Sequence, residues 1–209
     1  MQQQDIVAPQ SVESEVIIET HDLSRIYPGV VALDNVNYRV YRNKVNVLIG
    51  ENGAGKSTMM KMLAGVESPS SGKIILDGTP VVLNSTHQAE KLGISIIFQE
   101  LNLFPNMNVM DNIFMANEFF QKGKINEKYQ YALAKSLLER LELDVDPYTP
   151  LEELGIGHQQ LVEIARALSK DTRVLIMDEP TSALSQSEVK VLFNVIEQLK
   201  RRGVTIIYI

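Results

Sequence analysis

The 209-residue chain carries 20 basic and 26 acidic residues, a net charge of −6, with 44% apolar and 22% charged residues. This is the balance of a globular protein with length enough for a sizeable core, and its acidity and lack of a basic stripe argue against nucleic acid as a ligand. Zero cysteines exclude disulfides and thiolate metal sites, His21, His87 and His158 show no ligand spacing, and neither a membrane-length apolar run nor a secretory signal at Met1-Gln2-Gln3-Gln4-Asp5 is present.

Residues 1–15 are polar and without periodicity, and read as a flexible tail. Folding is expected from 16 to 209. Strands are predicted around 16–20, 35–41 and 45–49, and the alternation of Val36-Asn37-Tyr38-Arg39-Val40 fits a sheet with one polar face. A helix start follows at Ser57 to Ala64, then a strand over 72–76 ending in an Asp77-Gly78 turn. Three short β-branched runs, 94–98, 173–177 and 204–209, resemble parallel strands covered on both faces. From about 100 to 165 no strand pattern appears, and 108–120, 127–141 and 158–169 read as helices. Ser185-x-x-Glu188 is a capping box opening a helix with Val189, Leu192, Phe193, Ile196 and Leu199 on one face, closed by Lys200-Arg201-Arg202 and Gly203. The pattern predicts an α/β fold, with a P-loop NTPase core on a mostly parallel sheet, an antiparallel β subdomain and a helical insertion.

The chemistry concentrates in Gly50-Glu51-Asn52-Gly53-Ala54-Gly55-Lys56-Ser57-Thr58, a complete G-x-x-x-x-G-K-[ST] loop between an apolar strand and a helix. The glycines let the backbone wrap a phosphate, and the amides and helix N-terminus supply partial positive charge. Lys56 reaches the β/γ-phosphates and Ser57 offers a hydroxyl to Mg²⁺. A nucleoside triphosphate is the predicted ligand. The strand at 173–177 delivers Asp178, placed to hold Mg²⁺, and Glu179, placed to orient or deprotonate an attacking water.

Together with Phe98-Gln99-Glu100, the run Leu154 to Leu168 and Ile176 to Leu184, this loop resembles the nucleotide-binding subunit of an ABC transporter over residues 16–209. Tyr27-Pro28-Gly29-Val30-Val31-Ala32-Leu33-Asp34 and Gln159-Gln160-Leu161-Val162-Glu163-Ile164 look more narrowly like the ATPases of bacterial importers for ribose, galactose, arabinose and similar sugars. The resemblance implies ATP and Mg²⁺ as ligands, Gln99 reaching Mg²⁺ and the attacking water, and Tyr27 stacking on adenine, although a Tyr before a Pro-Gly turn also serves as a packing residue. It further implies transmembrane permease subunits meeting the Met-, Phe- and Leu-rich stretch 101–120, a periplasmic sugar-binding protein, and a second ATPase domain paired head to tail. The location implied is cytoplasmic, peripheral on the inner face of the membrane.

Departures from the family pattern qualify its activity. The signature, in the family close to Leu-Ser-Gly-Gly-Gln, reads Leu154-Gly155-Ile156-Gly157-His158. Gly155 has no hydroxyl for the partner's γ-phosphate, a loss of about 0.5–1.5 kcal/mol. The amides of Gly155 and Gly157 remain, and His158 either donates in place of the usual Gln or caps a helix. Ser185 stands for the usual Asp and serves as an N-cap, and Asn43-Lys44 stands for Gly-Glu. The chain stops short of a Ser-His pair whose His contacts the γ-phosphate, so a fragment, a shortened reading frame and a degenerate copy are all expected forms. Two alternatives to a sugar-importer ATPase follow: a remnant that binds ATP without efficient turnover, and a soluble non-transport ABC ATPase, against which the charge and the absence of heptads argue.

Overall fold

Alternation sets the first two strands. Val36, Tyr38 and Val40 turn inward, Asn37, Arg39 and Tyr41 outward. The strand runs further than this patch, as β2 (Val30–Tyr41), antiparallel to an equally long β1 (Val16–Tyr27). The expected strand at 16–20 is thus only the start of β1. The polar His21-Asp22 breaks the period-two pattern, and irregularities between Thr20 and Ile26 re-phase the ladder so that it continues. The computed structural model describes residues 15–209, so residues 1–14 of the expected tail lie outside the described residues. Glu15 is tied to the sheet: its carbonyl accepts from the Arg42 N–H at 2.7 Å and its carboxylate meets Lys44 at 3.1 Å.

A short β3 (Val45–Val47) leads through the glycine loop into α1 (Lys56–Leu63). Next, β4 (Ser71–Leu76) turns at Asp77 and Gly78, both at positive φ, into β5 (Thr79–Val81). Pro80 hid β5 from the sequence reading, yet a strand on the outer edge of a sheet tolerates a missing N–H. The six-residue α2 (Thr86–Lys91) is likewise an addition, too short for visible periodicity, opened by Ser85 accepting from the Gln88 N–H. After β6 (Ile94–Ile97) the helical block contains α3 (Val109–Phe114), α4 (Glu127–Arg140) and α5 (Ile156–Leu168). The helix expected over 108–120 ends at Phe114, and the block is not free of strands. Phe120–Gln121 and Lys124–Ile125 form a small hairpin, β7 and β8, around Lys122 and Gly123, both at positive φ. The chain closes with β9 (Val174–Met177), α6 (Gln186–Arg201) and β10 (Thr205–Tyr208).

The antiparallel sheet has the order β2-β1-β4-β5, and the parallel core sheet the order β3-β10-β9-β6. The continuous apolar runs of the core strands follow from this placement. In β9, Leu175 and Met177 pack into a core shared with α3, α4, α5 and α6, whereas Val174 and Ile176 pack into one shared with α1 and the antiparallel sheet. Ile206 and Ile207 divide in the same way on β10. Side chains alternate between two cores, so every position must be apolar. All four strands run the same way, which gathers the segments after their C-terminal ends at one edge.

Candidate functional site

The glycine loop leaves β3 beside β10, where the Leu48 N–H donates to the Tyr208 carbonyl at 2.9 Å. Glu51, Asn52, Gly53 and Ala54 are exposed, and the loop reverses through Gly53 and Gly55, both at φ +83°. Only glycine serves at 55, because a Cβ there would overlap the Ala32 carbonyl and the Leu33 side chain of β2. The Lys56 ammonium bridges the Gly50 and Glu51 carbonyls at 2.8 and 2.9 Å and so holds the loop in an arch over the α1 N-terminus. Ser57 and Thr58, in the first turn of α1, are half-buried.

Across the sheet, Asp178 follows β9 and is 7% exposed. The Ser57 hydroxyl donates to its Oδ1 at 3.3 Å, and among the described residues no basic group pairs with this carboxylate. A buried carboxylate beside a hydroxyl, without a basic partner, is a donor set suited to a hard cation such as Mg²⁺. No group of three or more acidic or histidine side chains forms a closed metal cage among the described residues. Glu179 is exposed and sits at φ +48°, a conformation that non-glycine residues adopt rarely and that collects at functional turns. Gln99, also exposed, lies two residues beyond β6. The Asp178 N–H donates to the Ile97 carbonyl at 3.0 Å, so the segments bearing Gln99 and Asp178 leave adjacent strands at the same edge. Tyr27 ends β1. Its hydroxyl donates to Glu67, and the Arg25 guanidinium covers one ring face at 4.8 Å from the centroid.

A family model described as ABC transporter matches residues 33–182, spanning the loop, Gln99 and both carboxylates. The chain belongs to the ABC transporter family. It is 50% identical over 198 residues to the xylose import ATP-binding protein XylG of Thermoanaerobacter pseudethanolicus, a match covering 94% of this chain and 39% of that protein. With the ribose import ATP-binding protein RbsA of Rhodopirellula baltica it shares 47% over 199 residues, 95% of this chain and 39% of that one. The chain thus spans about two-fifths of the length of these curated relatives. Among solved structures, CbiO1 of Clostridium perfringens, part of an ABC transporter complex, superposes with a TM-score of 0.79 at 29% identity, covering 93% of this chain and 78% of that one. The α/β cassette with its parallel core sheet, antiparallel sheet and helical block is therefore the fold of this ABC transporter chain.

The turn at the start of α5 is held differently. Gly155 caps α5 at φ −63° without a side-chain bond, and Gly157 and His158 follow in the first turn. The polar partner of this turn lies on α6: the Gly157 N–H donates to Glu188 Oε1 at 3.0 Å, while Glu188 Oε2 accepts from the Ser185 N–H at 2.8 Å and from its hydroxyl at 2.6 Å. Those Ser185 contacts, with the Gly157 N–H and the nearby His158 charge, hold the Glu188 carboxyl below the usual range. One carboxylate thus braces two helix N-termini, a role the sequence reading gave only to the α6 capping box. Its signal was the Glu three residues after Ser185, which says nothing of a second acceptor. His158 is exposed. Glu163, named in the sequence only as part of the Gln159 to Ile164 run, is 6% exposed on α5, and its carboxyl is pushed up to about 7, first by burial. An acidic residue amid the apolar run Leu161-Val162-Glu163-Ile164 was the available clue.

Proposed function

We propose that the chain is the ATP-binding part of an ABC importer for a sugar, coupling ATP binding and hydrolysis to transport by partner membrane subunits. The observation that carries the reading is the junction of the two nucleotide elements, Ser57 Oγ against Asp178 Oδ1 at 3.3 Å beside an exposed glycine loop. In this reading the loop Gly50 to Thr58 binds the phosphates. Lys56 exchanges its bonds to the Gly50 and Glu51 carbonyls for the β/γ-phosphates, and Tyr27 offers its ring to adenine. Ser57, Asp178 and Gln99 would hold Mg²⁺, which when bound neutralises charge on the phosphates. Glu179 orients the attacking water and takes its proton. The amides of the Gly155 and His158 turn face the nucleotide of a second ATPase domain in a head-to-tail pair.

The sugar assignment is supported by the names of the relatives, a xylose import and a ribose import ATP-binding protein. Permease subunits and a periplasmic sugar-binding protein are the partners this implies, with the chain on the cytoplasmic face of the membrane. Among the described residues no helix is long and apolar enough to cross a membrane.

A second reading, binding without efficient turnover, is favoured by the signature turn. Gly155 offers no hydroxyl, and the Gly157 N–H is already given to Glu188. Steady-state ATP hydrolysis by the parent and by Glu179→Gln separates the two. Turnover lost on substitution, with ATP binding retained, supports the ATPase. Absence of turnover in the parent, with binding intact, sinks it in favour of the second reading.

A further inference from the structure

Gln99 acts only if its loop is held, and the structure shows what holds it. Three residues along, both backbone polar groups of Asn102 are taken by side chains of α5: Glu163 Oε1 accepts from the N–H at 3.2 Å and Arg166 donates to the carbonyl at 2.8 Å. Glu163 and Arg166 lie three residues apart on one face of a helix. A second clamp follows two residues on. Asn112 of α3, fully buried, accepts from the Phe104 N–H at 2.7 Å and donates to the Phe104 carbonyl at 3.0 Å. The loop after Gln99 is thereby fastened by backbone to the helical block, and at Asn102 to the same helix whose first turn carries Gly155, Gly157 and His158.

We propose that Glu163 and Arg166 are positioning residues that lock the Gln99 loop to the signature helix, so that both ends of the ATP-closing machinery move as one body. The role of Gln99 in this rests on the ATPase reading above; the clamp itself does not.

Glu163 is an odd choice for a static strut, because its Oε2 is buried with no hydrogen-bond partner. The charged groups around the same pocket are Arg166, Lys170 and Glu90, the latter two paired with each other at 2.6 Å between the turn after α5 and α2. Asp111, the one charged residue of α3, lines a different groove. Burial raises the Glu163 carboxyl and outweighs both the Asn102 N–H and the Arg166 charge, which favour its ionised form. A carboxyl whose ionisation is opposed by burial favours the clamped, protonated form. Rising pH from about 4.5 to about 7 therefore shifts the balance toward release of the loop, where water can solvate the charge.

The test uses the full chain as parent, Glu163→Gln, Glu163→Ala and Arg166→Ala, with amide exchange of the 98–103 segment corrected for intrinsic rate. The parent's protection is expected to fall by up to about tenfold per pH unit between about 4.5 and 7 and to level off above that. Glu163→Gln keeps an acceptor oxygen without a charge, so it should stay protected with no such pH dependence. Arg166→Ala, at a half-exposed position, and Glu163→Ala should exchange faster by about tenfold or more. Both should lower kcat by about tenfold while ATP affinity stays within about twofold. An equal pH dependence in parent and Glu163→Gln, or parent-like protection in both alanine variants, overturns the clamp. No turnover in the parent overturns the ATPase reading instead, and the exchange data still decide the clamp.

Discussion

In the proposed ATPase reading, Gly155 and Glu179 are the two residues that bear on catalysis most directly. Glu179 is held at φ +48° by the turn in which the Ser182 N–H donates to its carbonyl at 3.2 Å, so its carboxylate is presented at the strand end by backbone geometry. Gly155 has no such constraint. Its φ of −63° suits any residue, and a Cβ placed there meets nothing within 4 Å. Gly155→Ser is therefore predicted to fold as the parent does and to raise turnover by about two- to tenfold. That is the effect of restoring one hydrogen bond of about 0.5–1.5 kcal/mol that strengthens in the transition state. Paired kcat measurements check it, and unchanged turnover would mean that the missing hydroxyl is not what limits this cassette.

At the level of elements, α6 illustrates how a local signal survives into the structure. The Ser185 side chain accepts from the Glu188 N–H and Glu188 answers on the Ser185 N–H, and the helix then buries Leu192, Ile196 and Leu199 as expected, with Val195 buried in place of Phe193, which is exposed. Ser185→Ala is predicted to cost about 1 kcal/mol, seen as a melting temperature lower by about 2–4 °C. Elements whose signal was local were legible in this way: the capping box, the Asp77-Gly78 turn, the β-branched core strands and the phosphate loop. Those that depended on distant partners were not. Thr79–Val81 is a strand because β4 lies beside it, and Phe120–Gln121 because Lys122-Gly123 reverses the chain onto Lys124–Ile125. The same divide runs through the site. Lys56, Ser57, Asp178 and Glu179 announce themselves by motif. The holders of the Gln99 loop, Glu163 and Arg166, act through one backbone residue 61 and 64 positions away and leave no motif.

Across the whole molecule, one buried carboxyl is predicted to govern pH-dependent stability. Glu163 has its pKa raised from 4.5 to about 7 in the folded chain. The sign follows: its contribution is fully present below the unfolded value of 4.5 and is lost as pH rises through about 7, because the fold opposes the charge. The loss is about 3 kcal/mol at most. Glu163→Gln removes the ionisation, so thermal melts should show the variant gaining on the parent between about pH 4.5 and 7 and holding that gain above. A constant difference would contradict this.

The central claim is that the loop from Gly50 to Thr58, closed against Asp178, binds a nucleotide. Equilibrium titration of MgATP into the full chain and into Lys56→Ala measures it directly. The account predicts saturable binding by the parent and a loss of at least about tenfold, some 1.4 kcal/mol, in the variant. Equal affinity in the two, or no binding by the parent, would contradict it.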